Sequence, residues 1–153
     1  ARRLIESNVR YVEVSLGGWD MHTNIYDQNG LPARAANLDR AASVLISDLA
    51  AKGLLSKTLV VLATEFGRTP RINQNAGRDH HPGAYSGFLA GGGIKGGRFY
   101  GSSDKDGLSV DQDGVTPADL NATIAHALGL PLQQEFFSKS GRPFKVAHDG
   151  KAI

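Results

Sequence analysis

Apolar and polar residues alternate through Val9-Arg10-Tyr11-Val12-Glu13-Val14-Ser15-Leu16, then recur every three or four positions between Arg34 and Lys52. They run together at Leu59-Val60-Val61-Leu62-Ala63. The alternating stretch predicts a strand, ended by Gly17-Gly18. The periodic one places Ala35, Leu38, Ala42, Leu45, Ile46 and Leu49 on one face and predicts a helix closed by Gly53 at C′. The continuous run, from Thr58 to Thr64, has the composition of a strand buried on both faces of a parallel sheet. Strand, helix and strand in this order predict a right-handed βαβ unit.

The flanking segments are shorter. Arg2 to Ser7 reads as the end of an amphipathic helix stopped by Asn8, and residues 23–33 as polar turns. A long loop is expected from Glu65 to about Gly83. Short strands are expected at Tyr85 to Ala90 and Arg98 to Tyr100, around a glycine-rich loop. Thr116-Pro117-Ala118-Asp119 predicts a helix start, with Thr as cap, Pro at N1 and Asp at N3. That helix should turn Leu120, Ile124, Ala127 and Leu128 inward and stop at Gly129. The tail reads as irregular, with a last strand near Phe144 to Val146. No repeat and no boundary divides residues 1–153, which read as one domain.

Composition narrows the function classes. With 153 residues, 41% hydrophobic and 21% charged, the chain can build a core and is too apolar for disorder. The net charge of +2 comes without any run of about five like charges, so a nucleic-acid footprint is not expected. No Cys is present, which excludes disulfides, thiolate metal sites and a cysteine nucleophile. No apolar run approaches the roughly 20 residues that span a bilayer.

Chemistry-bearing residues gather in two loops, each placed after a strand of the expected βαβ unit. The first carries Asp20 and His22; the second begins at Glu65 and Arg68 and continues to Arg78, Asp79, His80 and His81. Ligands of open parallel sheets bind outside the carboxyl ends of the strands, so these loops should converge. Asp-x-His can place a carboxylate oxygen and an imidazole nitrogen on one divalent ion. Glu65 reads as a metal ligand or general base, or as half of an ion pair with Arg68. The planar fork of Arg68 suits a phosphate or sulfate. Of the adjacent His80 and His81, one should join a given site, as ligand or general acid.

Other matches are set aside. Gly91-x-Gly93-x-x-Gly96 fits the dinucleotide pattern, but Gly97-Arg98-Phe99-Tyr100-Gly101 comes directly after it. That stretch has strand and turn chemistry and offers no helix N-terminus for a pyrophosphate. Asp104, Asp106, Asp111 and Asp113 lack the glycine and glutamate spacing of a calcium loop and read as turn residues.

Gly18-Trp19-Asp20-Met21-His22, Glu65-Phe66-Gly67-Arg68-Thr69-Pro70, Gly77-Arg78-Asp79-His80, the glycines from Gly91 to Gly97 and the stretch Ala122 to Leu130 occur in one order. In that order they resemble the domain-of-unknown-function 1501 family, related to the alkaline phosphatase and sulfatase superfamily. The resemblance implies an α/β fold with a mixed, mainly parallel sheet flanked by helices, here incomplete at its N-terminus, as the C-terminal part of a longer domain. It implies a divalent metal (zinc, manganese or calcium) held by Asp20, His22 and His80, with Asp79 and Glu65 as further candidate ligands. Glu65, Arg68 and Arg78 become the candidate catalytic groups. Phe66 stands where relatives carry a second ligand, which weighs against two metals. The superfamily nucleophile falls outside these residues.

The expected function is hydrolysis of small anionic phosphate or sulfate esters, in the periplasm or outside the cell. The alternative is a non-catalytic extracytoplasmic binding or assembly module on the same fold. Either way, a preceding segment of the same protein or a partner is expected to cover part of the chain.

Overall fold

The computed structural model describes residues 1–153 and combines three α-helices with eight short strands. The helices are α1 (Arg2–Glu6), α2 (Leu31–Ala51) and α3 (Pro117–Ala127). A 3₁₀ turn at Leu55–Lys57 leads from α2 into β1 (Leu59–Leu62). The other strands are β2 (Gly67–Arg68), β3 (His80–His81), β4 (Phe88–Gly91), β5 (Ser102–Ser103), β6 (Val110–Gln112), β7 (Phe136–Phe137) and β8 (Pro143–Phe144).

All three helices stop in the same way. Asn8, Gly53 and Gly129 sit at C′ with φ of +61°, +66° and +72°. The next residue then donates back to the third-last helical carbonyl: Val9 to Leu4, Leu54 to Leu49 and Leu130 to Ala125, at 2.8–3.0 Å. These are Schellman closures, which need the left-handed conformation that Gly and Asn adopt most cheaply. α3 begins as its sequence demands. Thr116 Oγ1 accepts from Asp119 N, and Asp119 accepts from Thr116 N, closing a capping box beside Pro117.

α2 starts three residues earlier than its periodicity suggests, because Pro32 sits in the first turn, where no backbone hydrogen is needed. Leu38, Ala42, Leu45 and Ile46 are half-buried and Leu49 is fully buried, whereas Ala35 is exposed. α1 lies across the C-terminal end of α2, where Arg2 Nε meets Asp48 Oδ2 at 2.9 Å and Lys52 Nζ meets Glu6 Oε1 at 2.8 Å. In α3 the buried face is Ala122, Thr123 and Ala125; Leu128, expected inward, is 63% exposed. The C-terminal tail covers that helix. Lys151 N donates to Asp119 Oδ1, Ile153 N donates to Thr123 Oγ1, and Ala147 is buried.

The sheet departs from the expected one. Four two-stranded ladders form, β1–β4, β2–β3, β5–β6 and β7–β8, and every one is antiparallel. No mainly parallel sheet and no βαβ unit is present. The alternating residues Val9 to Leu16 pair with nothing, and Tyr11 and Val14 are 76% and 73% exposed. Strand chemistry selects a conformation; a ladder also needs a neighbour that accepts its backbone bonds. β1 finds that neighbour in β4, with Leu59 opposite Gly91 and Leu62 opposite Phe88. A continuous apolar run fits either direction of pairing, so it could not distinguish them. Arg98 to Tyr100 also forms no strand; the Arg98 guanidinium instead lies 5.8 Å from the Tyr100 ring centre. No helix is long and apolar enough to cross a membrane.

Candidate metal centre

The two loops do meet, although no parallel sheet brings them together. Residues 21–25 pair with 73–78 through backbone bonds: Arg78 N to Met21 O at 2.9 Å, Asn24 N to Asn75 O at 3.0 Å, and Ile25 N to Ala76 O at 2.8 Å. Gly77, at the centre of this contact, is buried, and a Cβ there would overlap the His22 carbonyl. Asn73 closes the junction, donating from Nδ2 to His22 O while its Oδ1 accepts from Gly77 N. On the other side, Arg34 of α2 donates from Nη1 to Gly17 O at 3.2 Å, holding the Gly17-Gly18 turn that delivers Asp20.

The β2–β3 hairpin completes the frame. Its register sets Arg68 opposite His80 and Gly67 opposite His81. Thr69 N and Oγ1 fasten the end of the hairpin, bonding Asp79 O and Asp79 N respectively. His80 therefore faces the Asp20 loop. His81 faces the other way and bonds Leu108 O through Nε2 at 2.7 Å, so only one of the pair joins the cluster.

Three potential ligand atoms converge. Asp20 Oδ1 lies 3.0 Å from His22 Nε2 and 2.9 Å from His80 Nε2, and the two imidazole nitrogens are 3.2 Å apart. Ligands about 2.1 Å from one ion are separated by roughly 3.0–3.4 Å in octahedral or tetrahedral coordination, so this triangle suits a single divalent cation. Asp20, His22 and His80 are thus a group able to hold a metal ion. Their side chains are 66%, 41% and 49% exposed, so the site opens to solvent.

Asp79 is brought in, but behind His22. Its Oδ1 takes the Nδ1 hydrogen of His22 at 2.7 Å and a second hydrogen bond from Asn73 Nδ2 at 3.1 Å. A carboxylate only accepts, so Nδ1 carries a hydrogen, and Nε2 is the His22 nitrogen left to face the triangle. Both bonds hold the Asp79 carboxyl below its ordinary range, that of His22 contributing most. Asp20 is lowered to about 2, by its hydrogen bonds from His80 first and Arg68 second.

Arg68 is at the rim. Its Nη2 donates to Asp20 Oδ1 at 2.5 Å, and its Nη1 approaches His22 Nε2 at 3.4 Å and Arg78 O at 3.3 Å. Arg78 itself is turned away, with Nη1 donating to Thr69 O at 3.0 Å. Glu65 stands outside the group. The chain bends at this exposed residue, and its side chain makes no hydrogen bond or ion pair, while the chain beyond it enters β2. Phe66 packs on His80 instead, ring centres 4.5 Å apart. Asn73 is the neighbour that the sequence left unmarked, and the contact of Phe66 with the His80 ring was not read from its place in the motif.

No curated protein and no solved structure matches the chain. A family does match it along its full length, residues 1–153, and the chain belongs to that family, described as a protein of unknown function (DUF1501).

Proposed function

We propose that this chain holds one divalent cation at Asp20, His22 and His80 and serves a metal-dependent hydrolase of phosphate or sulfate esters. The observation that carries the reading is the triangle of ligand atoms, 2.9–3.2 Å on each edge, with Asp79 fixing the tautomer of His22 behind it. Two imidazoles and one carboxylate suit zinc or manganese better than calcium, which prefers all-oxygen sites. Such an ion, when bound, polarises an ester oxygen and activates water.

The remaining work falls to side chains. Asp79 keeps the Nε2 lone pair of His22 directed at the ion. Phe66 steadies the His80 ring and shields one side of it. Arg68 offers two parallel N–H groups to an anionic oxygen pair at the rim. Arg78, committed to Thr69 O, supports the hairpin. The open rim admits a small anionic ester. By family resemblance, the protein works in the periplasm or outside the cell, with a further segment or a partner over its exposed faces.

A second reading is a binding or assembly module without catalysis. It is favoured by Phe66, which by family resemblance stands at the place of a second ligand and packs on His80 instead. Metal content by mass spectrometry decides the common premise. One equivalent of zinc or manganese in the purified chain, lost in a His22→Ala, His80→Ala double variant, is the expected result. A full-length protein that takes up neither metal in excess rules the hydrolase out. Bound metal without turnover of phosphate or sulfate esters selects the binding module.

A further inference from the structure

Arg68 occupies an unusual place for a residue expected to grip a substrate. Its guanidinium donates to Asp20 Oδ1, the same oxygen that forms one corner of the ligand triangle, and its other arm faces His22 Nε2. Asp20 Oδ1 is already shared by both histidines, so Arg68 is its third partner. The Arg68 side chain is 23% exposed and also donates from Nη1 to Arg78 O at 3.3 Å, while the pairing of β2 with β3 holds its backbone in place. A guanidinium and a divalent cation on one carboxylate oxygen repel each other and compete for the same lone pairs.

We propose that Arg68 is the internal counter-cation of this centre: it neutralises Asp20 in the metal-free protein, is displaced when a divalent cation binds, and once displaced is available to an oxyanion. This inference rests on the metal reading above and adds that metal and oxyanion bind with positive coupling. Displacing Arg68 from Asp20 costs a charge-assisted hydrogen bond, and an oxyanion at the rim restores one. By reciprocity, whatever affinity the oxyanion adds for the metal, the metal adds for the oxyanion. The side chain thus sets a threshold for metal loading as well as an anchor for the substrate.

The test compares zinc affinity of the chain and of Arg68→Met by calorimetry, with sulfate or with chloride at equal ionic strength. In chloride, Arg68→Met should bind zinc about three- to tenfold more tightly, the scale of one partly exposed charged hydrogen bond. Sulfate should tighten zinc binding by the wild-type chain and leave the variant unchanged. In parallel, the Nε–Hε signal of Arg68 in the wild-type NMR spectrum should move on adding one equivalent of zinc. That signal keeps the test intact should Arg68→Met fail to fold. Equal or weaker zinc binding by a folded variant, an unmoved Arg68 signal, or sulfate acting equally on both proteins overturns the exchange and leaves the metal site standing. A wild-type chain that binds no zinc overturns the metal reading itself.

Discussion

Asp79 contributes to the cluster without joining the ligand triangle. By accepting the Nδ1 hydrogen of His22 it decides which nitrogen is free, and Asn73 decides in turn which way that carboxylate faces. Supporting carboxylates of this kind change metal affinity by about 10–100-fold. Asp79→Asn should therefore weaken zinc binding by that factor in a competition titration, whereas His22→Ala should abolish it. Equal losses in both would make Asp79 a ligand. Gly77→Ala probes the same junction without touching a ligand: its Cβ would overlap the His22 carbonyl, so metal uptake should fall although every donor remains. Asp20 and His22 were legible as a pair because Asp-x-His is a specific pattern, whereas His80 joined them only through the family resemblance, its neighbour His81 offering the same chemistry. Asp79 read as a further candidate ligand, whereas it lies behind His22, outside the triangle. That distinction depends on a single 2.7 Å hydrogen bond across 57 residues of chain. Phe66 was even less legible, since an aromatic ring packs on many surfaces.

Helices were the readable elements, because their stop signals are local. Asn8, Gly53 and Gly129, and the Thr116-Pro117-Ala118-Asp119 start, each act within one turn. Ladders were less readable because pairing is a choice among distant partners. Val9 to Leu16 carries strand chemistry but finds no partner, and β1 takes β4 in place of a parallel neighbour. The loops still converge as expected, through backbone bonds between residues 21–25 and 73–78 rather than along a shared sheet edge. Two substitutions weigh the local terms against the packing terms. Thr116→Ala removes the cap of α3 and should cost about 1 kcal/mol. Leu49 is fully buried on α2, and Leu49→Ala should cost about 2–5 kcal/mol, through lost burial and a cavity. Urea titrations should rank the two in that order. The opposite ranking would mean that the α2 face collapses readily around a missing side chain.

Across the whole molecule, charge and exposed apolar surface set solution behaviour. Asp20 and Asp104 are lowered from 3.8 to about 2, Asp20 chiefly by His80 and Asp104 chiefly by Ser109; Asp79 and Asp119 are also lowered. Folded values below unfolded ones mean stability fully present above about pH 4 and lost as pH falls towards 2. Fluorescence of Trp19, the one tryptophan and the neighbour of Asp20, should report an acid transition in that window. At neutral pH the surface matters more. The chain exposes 11207 Å², against about 7,500 Å² for a compact protein of its mass. Only eight residues are buried, and twenty large hydrophobic side chains are exposed, Phe99 completely. An excess of about 3,700 Å² on one chain is above the roughly 1,000–2,500 Å² per partner of most obligate interfaces. A net charge of +2 offers little repulsion to keep such surfaces apart. The 153-residue chain alone should therefore bind a hydrophobic dye and sediment faster as its concentration rises. Constant sedimentation without dye binding would mean that its exposed faces are too divided to act as one interface.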